Sequence, residues 1–246
     1  MQIFDFSETE STNLEARKLY KEGTEAPFWT RADKQSAGKG RRGREWTSKA
    51  GNLYASAVYP WTGDMAEAAK LSFVAALAVC RTLDAYDLTS PPQLKWPNDV
   101  LIRGEKISGI LLENIGEAVI VGIGINLMSH PDGTEYPATN LLEHISPEAL
   151  NDAETIFTGA AIMLPLLAKE FDDGVKQFIA QGFAPIRAQW LERARGIGGE
   201  VVVRLADETF TGQAVDLLEN GALRVALAND TIRDVHAGDV FFPRKN

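Results

Sequence analysis

Four strand-like segments, at residues 93–96, 100–102, 106–113 and 118–126, follow one another with only short turns between them. A parallel pair needs a crossover of a dozen or more residues, so segments this close must pair antiparallel. The constraint points to an α+β chain on a mixed, largely antiparallel sheet with helices. Residues 3–6, 28–32 and 52–59 read as further strands. A helix is expected after the first of them, with Ser11 or Thr12 near its cap and Leu14, Ala16, Leu19 and Tyr20 on its apolar side.

The spacing of Leu71, Val74, Leu77 and Cys80 predicts one helix over residues 65–86. Residues 147–195 read as two or three helices, limited by Pro165 and Pro185. After Gly196-Ile197-Gly198-Gly199 the pattern changes to alternation at 200–205, 209–218 and 222–228, with Asn220-Gly221 as a hairpin signal and Asp239-Val240-Phe241-Phe242 as a last strand. Short strands in so brief a tail suggest a small barrel. The expected division is 1–195 and 196–246.

Charge is unevenly placed. The chain of 246 residues has a net charge of −9, which argues against a general nucleic-acid binder. Yet residues 31–49 hold seven basic and two acidic side chains, a local balance of +5. Within that stretch Gly38, Gly40 and Gly43 separate Lys39, Arg41, Arg42 and Arg44. Glycine admits close backbone approach, consecutive N–H groups form an anion nest, and arginine adds charge-assisted bonds. Gly38-Lys39 is followed by Gly40 rather than Ser or Thr, so this is not a P-loop. Taken alone, the loop reads as an anion site or as an ordinary solvated loop. Trp46 at its end reads as a ligand cover or as a packing residue.

Lys95-Trp96-Pro97-Asn98-Asp99 lies between two strands, and Pro97 restricts both itself and Trp96. Asn98 and Asp99 are ordinary turn residues, and Lys106 opening an apolar strand is an ordinary solvent-side end. The lone Cys80 lies in an apolar run and reads as a buried packing residue. With one cysteine, no secretory signal and no apolar run near the ~20 residues that span a bilayer, a cytoplasmic protein is expected. His130, His144 and His236 lack the spacing of a metal site, and His236 reads as a surface residue.

Together, Gly38-Lys39-Gly40-Arg41-Arg42-Gly43-Arg44-Glu45-Trp46, Lys95-Trp96-Pro97-Asn98-Asp99, Lys106-Ile107-Ser108-Gly109-Ile110-Leu111-Leu112-Glu113 and Gly122-Ile123-Gly124-Ile125-Asn126 resemble the bacterial biotin–protein ligases in order and spacing. The resemblance runs strongly from Ser11 to Asn126; beyond that, only the helices and terminal barrel agree. It implies a class II synthetase-like catalytic domain with an SH3-like C-terminal barrel. The implied reaction uses biotin and ATP with Mg²⁺ to form biotinyl-5′-AMP. The acyl group then passes to a lysine of a biotin carrier domain of a biotin-dependent carboxylase.

Carried over by position, Ser11, Thr12, Asn13 and Gln35 contact the biotin head group, with Lys39, Gly40, Arg41, Lys106 and Gly109 completing the biotin site. Arg41, Arg44, Trp46, Lys95, Asn98 and Asn126 face the nucleotide. Arg41 and Lys106 are the expected catalytic groups, and Asp99 either helps to hold Mg²⁺ or holds a loop cation. Lys39 departs from the family's arginine, keeping the charge without the bidentate fork. The resemblance also suggests a homodimer through a sheet edge. Only ten residues precede Ser11, too few for the N-terminal DNA-binding domain of some members, so no repressor function is expected. The competing readings are a lipoate or octanoyl ligase, a nucleic-acid-binding module and a metal enzyme.

Overall fold

The computed structural model describes residues 1–150, 159–228 and 231–243 of the protein. Strand β1 (Gln2–Phe6), helix α1 (Thr12–Lys21) and strand β2 (Phe28–Ala32) form a strand–helix–strand unit whose two strands pair parallel. Strand β3 (Leu53–Pro60) follows the basic loop, and helices α2 (Met65–Ala69) and α3 (Leu71–Leu83) follow it. Then come β4 (Gln93–Lys95), β5 (Asp99–Ile102), β6 (Glu105–Asn114) and β7 (Ala118–Ile125). The sheet has seven strands in the order β1-β2-β3-β7-β6-β5-β4. Every pairing after the first is antiparallel, as the short turns require.

The single helix expected over residues 65–86 is two helices. Asp64 caps α2 by accepting from Ala66 N at 2.9 Å. At the junction the Lys70 N–H reaches back only three residues, to Glu67 O, and Ser72 Oγ takes the Ala69 carbonyl. Side-chain capture of a carbonyl competes with the helix ladder.

Helices α4 (Pro147–Leu150), α5 (Ala160–Gln181) and α6 (Phe183–Arg193) fill the expected helical segment. Part of it, residues 151–158, lies outside the described residues. Pro165 sits inside α5 rather than ending it, while Pro185 takes the first turn of α6, where a missing N–H costs nothing. The expected barrel strands form a five-stranded antiparallel sheet: β8 (Glu200–Arg204), β9 (Thr209–Leu217), β10 (Leu223–Ala226), β11 (Ile232–Val235) and β12 (Asp239–Phe241), ordered β11-β10-β9-β8-β12. The sequence pattern missed β11, whose middle residues are Arg233 and Asp234.

Side-chain alternation divides the large sheet into two faces. Trp29, Ala57, Val119 and Val121 point into the main core, where α3 and α5 cover them. Phe171 of α5 meets Trp29 and Tyr59 edge-on, at 5.9 and 5.2 Å between ring centroids. The opposite face carries Phe28, Val58 and Ile120 under Ala16 of α1. The main core is continuous into the second sheet through Val201, Val203, Leu217 and Val225. No helix among the described residues is long and apolar enough to cross a membrane.

Candidate active site

On the α1 face the apolar cover ends after one row of the sheet. Two residues beyond Phe28, Val58 and Ile120 come Thr30, Ser56 and Gly122, paired across the sheet in that order. Another step gives the row Ala32, Tyr54, Gly124, Gly109, Asp99 and Lys95, again in register. Period-2 alternation therefore changes this face from a helix seat to a polar, glycine-floored trough.

The N-terminus of α1 closes one end of the trough. Ser11 occupies the cap position, as expected, but its side chain makes no capping bond. Thr12 N and Oγ1 donate to Gln35 Oε1 at 2.8 and 3.2 Å. Ser56 Oγ donates to Asn13 Oδ1 at 2.6 Å and lies 2.7 Å from Thr12 Oγ1. Asn13 Nδ2 donates to Glu113 at 3.1 Å. These side chains, of which Thr12, Asn13 and Ser56 are buried, are fixed by one another and present a compact set of donors and acceptors.

The basic loop folds back on itself. Lys39 bridges Glu45 through the backbone, Gly40 N donates to Arg44 O at 2.8 Å, and Trp46 N donates to Gly38 O at 2.9 Å. Arg42 and Gly43 turn the chain with φ of +56° and +74°. The loop thereby lays Trp46 across the trough floor. A Cβ at Gly124 would sit 2.5 Å from Trp46 Cε2, and one at Gly109 would sit 2.9 Å from Cζ3. The two glycines are what allow the indole to lie there. Its Nε1 is buried without a partner.

Beside the indole stands a cluster of charges. Lys106 Nζ is 5.3 Å from the Trp46 ring centroid and 2.6 Å from Asp99 Oδ1; Lys95 Nζ is 2.7 Å from Asp99 Oδ2. Burial would raise the Asp99 carboxyl, but the ammonium groups of Lys106 and Lys95 outweigh it and hold the group well below the usual carboxylate range. Asn98 Oδ1 accepts from Arg41 Nη1 at 3.2 Å. Burial pulls the Arg41 guanidinium down from its ordinary value, opposed by Asp239 and Asp99.

One cavity brings together Ser11, Thr12, Asn13, Gln35, Lys39, Gly40, Arg41, Arg44, Trp46, Lys95, Asn98, Asp99, Lys106 and Gly109. Asn126 stands apart from it. It lines an adjoining cavity, with Tyr136 and Phe241, that shares Arg44, Trp46, Lys95, Asp99 and Lys106 with the first. Asn126 Nδ2 donates to Thr139 O at 3.0 Å, so this side chain also secures the loop over the second cavity. Lys95 Nζ lies 4.1 Å from the Tyr136 ring centroid.

Sequence reasoning missed Ser56, Tyr136 and Asp239. The available signal was the pair of glycines spaced by one residue, Gly122 and Gly124, which marks a strand face open to close approach by other groups. Asp239 gave no local signal, because its partners Arg42 and Arg44 are nearly two hundred positions away. Cys80 is buried, as expected, with its thiol pushed up to about 12 by burial, and His236 is exposed.

Residues 4–128 match the model of the biotin/lipoate A/B protein ligase family, and residues 196–242 match that of the biotin protein ligase C terminal domain. A biotin–[acetyl-CoA-carboxylase] ligase of Paracoccus denitrificans is 40% identical over 95% of this chain and 98% of its own length. The chain belongs to the biotin protein ligase family. A bifunctional ligase/repressor, BirA of Bacillus subtilis, is 32% identical over 85% of this ligase and 64% of its own length. Among solved structures, the Aquifex aeolicus biotin protein ligase in complex with biotin and ATP superposes with a TM-score of 0.80, at 26% identity, over 99% of both chains.

Proposed function

We propose that this biotin protein ligase joins biotin to one lysine of a biotin carrier domain through biotinyl-5′-AMP, with the two connected cavities holding the two halves of that intermediate. The observation that carries this reading is the glycine-floored trough that runs from the Thr12–Gln35–Ser56 cluster to Lys106 and seats Trp46 on its floor. Its first end suits the polar ureido ring of biotin, with Ser11, Thr12, Asn13 and Gln35 as contacts. Its middle, where the Trp46 indole rests on Gly109 and Gly124, suits biotin's aliphatic chain once the loop lifts the indole from the floor. Its last part suits a carboxylate.

A carboxylate is a poor electrophile until its oxygen becomes a good leaving group. In the first step a biotin carboxylate oxygen attacks the α-phosphorus of ATP, and pyrophosphate leaves with the electron pair of the broken P–O bond. Both reactants are anions, so Lys106, with Arg41, Lys39 and Arg44 nearby, offsets their repulsion and the charge that grows on the phosphate. Lys95 and Asn98 back this wall, and Asn126 faces the nucleotide base. In the second step the neutral amine of the acceptor lysine attacks the acyl carbon, AMP departs, and the amine loses a proton. Trp46 and the loop keep water from the acyl-adenylate until then.

Of the two roles expected for Asp99, we favour holding the lysines. Each of its oxygens already faces an ammonium group. Mg²⁺ in this reading travels with the triphosphate.

Pyrophosphate release in the presence of biotin and ATP tests the assignment. It should require biotin, ignore lipoate, and fall sharply in Lys106→Ala. Lipoate-dependent release, or an undiminished rate in Lys106→Ala, would contradict it.

A further inference from the structure

Three consecutive residues, Gly238 and the first two of β12, reach into the site. Gly238 O accepts from Arg41 Nη1 at 3.5 Å. Asp239 Oδ2 accepts from Arg42 Nη1 at 3.3 Å and from Arg44 Nη2. Val240 O accepts from Lys95 Nζ at 3.3 Å. The first two residues fasten the basic loop, and the third fastens the lysine that shares Asp99 with Lys106.

Asp239 is the strongest of the three ties. Its side chain is only 11% exposed, and both arginines converge on one oxygen. It sits at the start of β12, where backbone pairing with Arg204 of β8 fixes its position. Arg42, by contrast, is held at φ +56°, a left-handed conformation that an L residue avoids unless something retains it. The loop around it carries several cations within a few residues, and these repel one another. Backbone bonds fold the loop, and its one acidic residue, Glu45, forms no ion pair with Arg42 or Arg44 among the described residues. The carboxylate of Asp239 supplies the counter-charge from a different sheet.

We infer that Asp239 is a positioning residue: it latches the loop 38–46 against the C-terminal sheet and so sets how long the enzyme retains its acyl-adenylate. The inference rests on the proposed biotin chemistry only for the identity of what is retained. The loop carries Trp46, the cover of the trough, so freeing Arg42 and Arg44 loosens the cover as well. Asp239 acts through these arginines. Loss of the latch therefore changes the release of the intermediate more than the rate of its formation.

Two measurements test the latch on the full chain. In the ligand-free enzyme, hydrogen exchange across residues 38–46 should accelerate in Asp239→Asn while the strands of the large sheet keep their protection. This readout does not depend on the substrate. With labelled biotin and ATP, wild-type formation of biotinyl-5′-AMP checks the ligase reading by itself. The release of that adenylate should then be about tenfold faster in Asp239→Asn, the scale of losing one partly exposed charged hydrogen bond. Asp239→Glu should restore slow release, a rescue that a merely bulky or structural role would not give. If Asp239→Asn does not fold, Arg42→Gln cuts one arm of the latch and should also speed both exchange and release. Unchanged loop exchange in the folded variants, or a glutamate no better than asparagine, would overturn the proposal.

Discussion

Lys106 is held by two different surroundings, the Asp99 carboxylate and the Trp46 ring. Removing its ammonium should therefore change chemistry more than fold. Lys106→Ala is expected to retain a cooperative melting transition and to lose about 100-fold in pyrophosphate release, the size seen when one preorganised electrostatic group is deleted. Asp99 has the opposite balance. Its carboxyl is depressed in the folded protein, so the stability it adds is complete above the ordinary carboxylate value of about 3.9 and drains away as pH falls from there toward the folded value. Asp99→Asn should flatten that acid limb in denaturant titrations. It should also cost about 3 kcal/mol near neutrality, because it leaves the buried Lys95 and its neighbour unpaired. Residues of this kind were legible in the sequence as a group, because their motifs lie in short contiguous runs. Their partners were not: Asn13 meets Glu113, and Arg42 meets Asp239, across separations that no local pattern encodes.

At the scale of elements, the closely spaced strands were the most legible part, since short turns leave only one way to pair. The helix break at Lys70 was not legible, because it depends on Ser72 taking a carbonyl that the periodicity assigns to the ladder. The glycines of β6 and β7 carry the most specific structural message. Gly124→Ala would push a methyl group against Trp46 at 2.5 Å, so the indole must move. The expected result is a biotin Kd raised by about tenfold, equivalent to about 1.4 kcal/mol, with far-UV circular dichroism unchanged; calorimetry measures the first. On the other face, Cys80 lies within α3, fully buried, with a thiol pushed up to about 12 by burial. A thiol reagent should label it only as fast as the protein opens, so native labelling should be slow and should rise with denaturant.

For the whole molecule, the two sheets act as parts of one machine. They share a continuous apolar core, Trp96 Nε1 donates to Gly221 O at 3.0 Å, and residues 238–240 fasten the loop and Lys95. The sequence announced both sheets but not their union, since alternation reveals the strands of each sheet and says nothing of how two sheets dock. The central claim is that this union builds one site for activating biotin and handing it to a lysine. Its most direct test is mass spectrometry of a biotin carrier domain incubated with this protein, biotin and Mg-ATP. The carrier should gain the mass of one biotinyl group, on one lysine, and only when ATP is present. A carrier of unchanged mass, alongside a positive control with a known biotin ligase, would contradict the account.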